Sequence, residues 1–241
     1  MSESRYSDAF RRLLSTHALA SRLKQARMGE VLGDRPWQLD LRGGALSFGR
    51  DQEPFSIQLL GSYSSHAGTW MWAWGQSSSS IKADLLQAGM ALQSQFGEAE
   101  GISEFQESSI ETDHDDLFPH KLGMIALGLR PASAYYVCDY GEGSALVLME
   151  PYDDRLTASL PPAQRVASVF MELLESIPFD HLLAWTSLLD RWQIRHEESR
   201  DNDERRVEAT WPASGSDPGG LVYAVFDRKN RLINLQLPVK G

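Results

Sequence analysis

Apolar residues recur at Phe10, Leu13, Leu14, Ala18 and Leu23, close to the helical period, and Ser7 with Asp8 stands where a cap belongs. The pattern predicts a helix from about Ser7 to Met28. After Gly29 and the turn Gly33-Asp34-Arg35-Pro36 the period shortens to two: Trp37, Leu39 and Leu41 alternate with polar residues, Gly43-Gly44 turns the chain, and Ala45 to Gly49 returns. Phe55 to Tyr63 and Thr69 to Trp74, on either side of Ser64-Ser65-His66-Ala67-Gly68, predict a second hairpin and so a four-stranded meander. Ser77 to Ser80 precede Ile81, Leu85, Leu86, Met90 and Leu92, a helix that the serines would cap and Gly97 would end. Residues 102–111 alternate only in part and fit a surface strand or a loop. A helix capped by Asp115-Asp116 would run through Leu117, Leu122, Ile125, Ala126 and Leu129, with Pro119 in its first turn. Ala134 to Asp139 and Ala145 to Glu150, around Gly141-Glu142-Gly143, make a third hairpin.

Composition breaks most clearly at Pro151-Tyr152-Asp153-Asp154. Beyond it, Pro161-Pro162 opens a helix through Val166, Val169, Phe170, Leu173 and Leu174, and a second covers His181 to Trp192. Strands follow at Gln193 to Glu198, Arg206 to Trp211, Leu221 to Phe226 and Leu232 to Leu237. Strands in consecutive hairpins, rather than alternating one by one with helices, give the class α+β: antiparallel sheets with packed helices, in two halves that each run helix then sheet. The expected domains are residues 1–152, built around the Trp-rich strand, and residues 153–241, two helices plus a four-stranded antiparallel sheet.

With 42% hydrophobic residues, 7 Trp and 9 Phe in 241 residues, the chain has enough apolar material for a packed core. Its 33 acidic against 23 basic side chains give a formal charge of −10, which repels a phosphate backbone and argues against a nucleic-acid partner. A single cysteine, Cys138, closes no intrachain disulfide, and no Cys/His set has zinc-finger spacing. The opening residues lack the apolar core of a secretory signal, and the run Trp70 to Trp74 is far too short to span a bilayer. These features lead us to expect a cytoplasmic protein with no membrane partner.

Strand geometry would put Trp70, Trp72 and Trp74 on one face about 7 Å apart, a platform on which a sugar ring or a base could stack. The competing expectation is a central strand whose indoles fill the core. Asp113-His114-Asp115-Asp116 with His120 gathers possible ligands for a hard divalent ion, but acidic residues also belong in the first turn of a helix, so no metal is expected. No Gly-x-Ser-x-Gly elbow and no phosphate-cradling glycine loop occurs, and Cys138 lies in an apolar strand pattern that would disfavour its thiolate. Neither a catalytic residue nor a cofactor is expected, and the chain is read as a non-enzyme.

Charge is more informative than any motif. Residues 1–50 carry nine basic and five acidic side chains, whereas residues 51–120 carry eleven acidic ones and only Lys82. Between Gly97 and Asp116, Glu98, Glu100, Glu104, Glu107, Glu111, Asp113, Asp115 and Asp116 occur without a Lys or Arg. Such a block is either a solvated face or an electrostatic docking surface, which speeds encounter with a basic partner. Ile102, Phe105 and Ile110 would supply its apolar anchors. A second acidic run, Glu197 to Glu204, is followed at once by Arg205 and Arg206 and is expected to form a hairpin turn.

Gly61-Ser62-Tyr63-Ser64, the strand Thr69 to Trp74, and the helix Leu117 to Leu129 leading into Tyr135-Tyr136 resemble a family of uncharacterised bacterial proteins with a Trp-x-Trp-Ala-Trp core strand, over roughly the first 150 residues. That resemblance implies no reaction and no catalytic residue. The leading expectation is a non-enzymatic protein-binding protein, an immunity protein of the bacterial cytoplasm that neutralises a cognate toxin by covering its active site with the acidic segment. The alternative is a small-molecule protein, for a carbohydrate or a nucleotide, that uses Trp70, Trp72 and Trp74.

Overall fold

In a computed structural model the chain is described at residues 5–50, 53–75, 81–150, 156, 160–213 and 218–238. It has an α+β fold with two antiparallel sheets, of seven and four strands. The chain divides into two compact units, Met1–Arg11 with Lys24–Thr157, and Arg12–Leu23 with Ala158–Gly241. The first helix, α1 (Asp8–Leu32), therefore supplies residues to both units, which its unbroken helical pattern could not reveal. The expected boundary after Tyr152 lies outside the described residues, as do the serines expected to cap the second helix.

The first unit begins at the Ser7 cap, whose hydroxyl accepts from the Phe10 amide. Gly29 does not end α1 as the sequence suggested. The helix continues one more turn, to Gly33, which sits at φ 59° and returns its amide to the Gly29 carbonyl. Strands β1 (Trp37–Asp40), β2 (Ala45–Phe48), β3 (Phe55–Ser64) and β4 (Thr69–Trp72) form the expected meander. At Trp72 the strand gives way to a 3-10 turn over Ala73–Gly75, so Trp74 leaves the strand face.

The single helix expected over 81–97 is a composite: a 3-10 turn, Ala83–Leu86; α2 (Gln87–Leu92); and a π-helical segment, Gln93–Ala99. Gly97 lies inside it. Gly101, at φ 70°, ends it by donating to the Gly97 carbonyl. Residues 102–111 divide into α3 (Ser103–Gln106) and the three-residue edge strand β5 (Ser109–Glu111), which pairs with β4.

Helix α4 (Phe118–Leu129) has Pro119 in its first turn, as the sequence suggested, and leads into the hairpin β6 (Ala134–Asp139) and β7 (Gly143–Met149). Strand β7 pairs with both β6 and β3 and is buried along its whole length, as a central strand covered on both faces must be. One face of this sheet packs Phe48, Phe55, Ile57, Val147 and Met149. A separate aromatic cluster joins Tyr6, Phe10, Phe118, Trp70, Trp72 and Phe105, with neighbouring ring centroids 5.2 to 6.2 Å apart.

In the second unit, α5 (Ala163–Ser176) and α6 (His181–Arg191) accompany the sheet β11-β10-β9-β8, made of β8 (His196–Asp201), β9 (Glu204–Trp211), β10 (Gly220–Phe226) and β11 (Leu232–Gln236). Asp180 caps α6, and its own amide donates to Ser15 Oγ of α1. Trp185 stacks on Phe170 at 5.4 Å and near Trp211 at 6.3 Å, filling the space between helices and sheet. The second acidic run is mostly strand rather than turn: Glu197 to Asp201 lie in β8, and Asn202 at φ 50° makes the bend.

Candidate functional site

The acidic segment lies entirely in the first unit, and its side chains divide by environment. Glu98, Glu100, Glu107, Glu111, Asp113 and Asp116 are exposed. Gln106 donates its side-chain amide to the Gly97 carbonyl at 2.9 Å and so ties the two arms of the segment together. Asp113 pairs with Arg5, a cation that lies too far away in sequence to be noticed within the block.

Three of the expected docking residues are corrected. Ile102 and Phe105 are only 4% and 1% exposed, and Phe105 packs on Trp72 at 5.5 Å, so neither can anchor a partner. Their burial follows from α3, which turns the chain so that Phe105 enters the aromatic cluster and the N-cap residue Ile102 is buried, while Ser103 and Gln106 stay outside. Glu104 is buried as well. Its carboxylate accepts from the Ser7 amide at 2.6 Å, the Ser7 hydroxyl at 2.7 Å and Ser103 Oγ at 3.1 Å, which fastens the start of α1 to α3. Asp115 is likewise structural in part: burial opposes its ionisation, but Lys121 and the Tyr6 hydroxyl outweigh that and hold its carboxyl below the usual carboxylate range. Ile110 remains half-buried, opposite Trp70.

The indole platform is also corrected. Trp70 and Trp72 are buried and meet edge to face at 5.6 Å, and the Trp72 indole N–H donates to the Glu104 carbonyl at 3.0 Å. Trp74 stacks against Trp72 at 6.2 Å and is half-buried. The Trp70 indole is accommodated beside β3 because Gly61 faces it: a Cβ there would lie 2.5 Å from the Trp70 ring. No open row of rings remains for a sugar or a base. Among the described residues no three His, Cys, Asp or Glu side chains come together to hold a metal ion, and Asp113, His114, Asp115 and His120 turn to Arg5, Ser65, Lys121 and Tyr135 respectively. Cys138 is buried in β6, and burial pushes its thiol up to about 12.

Next to the acidic segment a cleft of about 510 Å³ opens between the ends of β3, β6 and β7 and the start of α4. Tyr63 and Tyr135 form its buried floor, and Asp116, His120 and Asp139 line it nearer the surface. Tyr63 donates its hydroxyl to Asp116 Oδ1 at 3.0 Å; burial first, and then this bond, raises the hydroxyl's pKa. His120 Nδ1 lies 3.3 Å from the Tyr135 hydroxyl. Tyr135 is held on three sides. Its backbone amide and carbonyl, on a strand paired only with β7, are met by the Gln25 side chain at 3.2 and 2.9 Å. Gly123 lets the ring lie against α4, where a Cβ would come within 2.6 Å of it.

Sequence reasoning missed Tyr63, Tyr135 and Asp139 as a group because 72 or more residues separate Tyr63 from the other two. The available signal was the glycine at Gly123, one helical turn after His120, which marks a close approach by another element.

Among the described residues no helix is long and apolar enough to cross a membrane. Neither the curated proteins nor the solved structures contain a match to the chain. The profile of a family of unknown function matches residues 11–151, a span that holds the cleft and the whole acidic segment. By this match over more than half its length, the chain belongs to the family of unknown function DUF6882.

Proposed function

We propose that the protein is a non-enzymatic binding protein of the bacterial cytoplasm, an immunity protein that occludes the active site of a basic toxin with its acidic surface. The observation that carries this reading is the group Glu98, Glu100, Glu107 and Glu111: four exposed carboxylates on one continuous segment that holds no Lys or Arg between Gly97 and Asp116. Such a field accelerates encounter with a positively charged protein and repels acidic competitors. With Ile102 and Phe105 in the core, the apolar contacts pass to Met71 and Leu117, each 43% exposed. Met71 stands opposite Ser109 on the edge pair β4–β5, and Leu117 directly follows Asp116.

The test is the product of the neighbouring reading frame, expressed alone and together with this protein. The expected result is a toxic product whose toxicity disappears on co-expression and which forms a stoichiometric complex with the purified chain. A neighbouring product that is harmless and does not bind, or purified protein that itself turns over a substrate, contradicts the reading.

A further inference from the structure

We propose that the cleft beside the acidic segment binds a small organic cation, one that presents an ammonium or guanidinium group. Its volume, about 510 Å³, falls in the range of small-molecule sites. The lining contains two carboxylates, Asp116 and Asp139, and neither Lys nor Arg. Each carboxylate is oriented through one oxygen: Asp116 Oδ1 accepts from Tyr63, and Asp139 Oδ1 accepts from the Gly141 amide at 2.7 Å. The second oxygen of each is left to receive N–H donors from a ligand. Below them lie the buried side chains of Tyr63 and Tyr135, which close the cleft as its floor.

An anion would meet two like charges here, whereas a cation meets two carboxylate acceptors. The two tyrosines are pre-positioned by Asp116, His120, Gln25 and Gly123, so ordering the floor costs a ligand little. The cleft is distinct from the Glu98–Glu111 surface, and this inference stands whether or not that surface meets a toxin.

Calorimetric titration of the full chain at low salt tests it, with agmatine and butylammonium as probes and 1-butanol and inorganic phosphate as controls. The expected result is saturable one-site binding of the cations alone. Asp116→Asn and Asp139→Asn should each weaken it by about tenfold, and Glu100→Gln, an exposed carboxylate outside the cleft, should leave it unchanged. Near-ultraviolet circular dichroism verifies that each variant keeps its aromatic packing; if one does not, the wild-type titration and the remaining variant decide. Absence of saturable binding, binding of the controls, or an equal loss with Glu100→Gln overturns the proposal, the last because it would mean that cations merely gather on an acidic surface.

Discussion

Carboxylates eight or fewer residues apart in this chain have opposite roles, and partner distance decides which. Glu104 finds Ser7, 97 positions away, and becomes a buried tie; Glu107 and Glu111 find no such partner and stay in water. Glu104→Ala should therefore destabilise the protein by about 2–4 kcal/mol in urea unfolding, because it removes a buried carboxylate together with its charge-assisted bonds to Ser7 and Ser103, whereas Glu107→Ala should change stability by less than about 0.5 kcal/mol. Equal effects would contradict the division. His17, on the α1 segment that belongs to the second unit, is buried with Arg191 nearby. Burial first, and then that cation, lowers its pKa to about 4. A histidine depressed from 6.5 stabilises the fold fully above about pH 6.5 and loses that contribution as pH falls toward 4, about 3 kcal/mol in all. His181, whose Nδ1 accepts from the Leu232 amide, is also lowered by burial and adds to the same loss. Unfolding at pH 5 and pH 7 should show the protein weaker at pH 5, and His17→Leu should shrink the difference without abolishing it. A pH slope unaltered by that substitution would exclude His17 as its source.

At the level of elements, α4 and β6 meet through one missing side chain. Gly123→Ala would push a methyl into the Tyr135 ring, which is buried and cannot swing aside, so a loss of about 1–3 kcal/mol is expected together with a change in tyrosine near-ultraviolet dichroism. Full stability in Gly123→Ala would mean that the helix does not rest on the ring. Cys138, one strand position from the sheet's polar end, should resist alkylation at pH 8 until the protein unfolds. The hairpins were legible because alternation over four or more residues has few other readings, and the helices α1, α4, α5 and α6 because their apolar residues kept the helical period. Helix α3 was not: four residues are barely one turn, too few to display a period, and so Ile102 and Phe105 looked like surface anchors. The composite over 83–99 was read as one helix because its 3-10, α and π segments, of 4, 6 and 7 residues, are each too short for their different periods to show in the apolar pattern. The cleft was illegible because its walls come from four distant segments, and no local pattern records which tyrosine will meet which aspartate.

For the molecule as a whole, the sequence-level asymmetry of charge survives folding only after sorting. Burial removes Glu104 from the acidic surface and Arg5 neutralises Asp113, yet Glu98, Glu100, Glu107 and Glu111 remain in solvent. Those four positions carry the binding account, and their replacement leaves the core untouched. The most direct measurement is the association rate of the proposed toxin partner with wild type and with the quadruple variant Glu98→Lys, Glu100→Lys, Glu107→Lys, Glu111→Lys, taken across ionic strength. Wild-type association should slow steeply as salt rises, and the variant at low salt should be slower by about tenfold or more, with unfolding nearly unchanged. Equal rates, or a wild-type rate indifferent to salt, would contradict it.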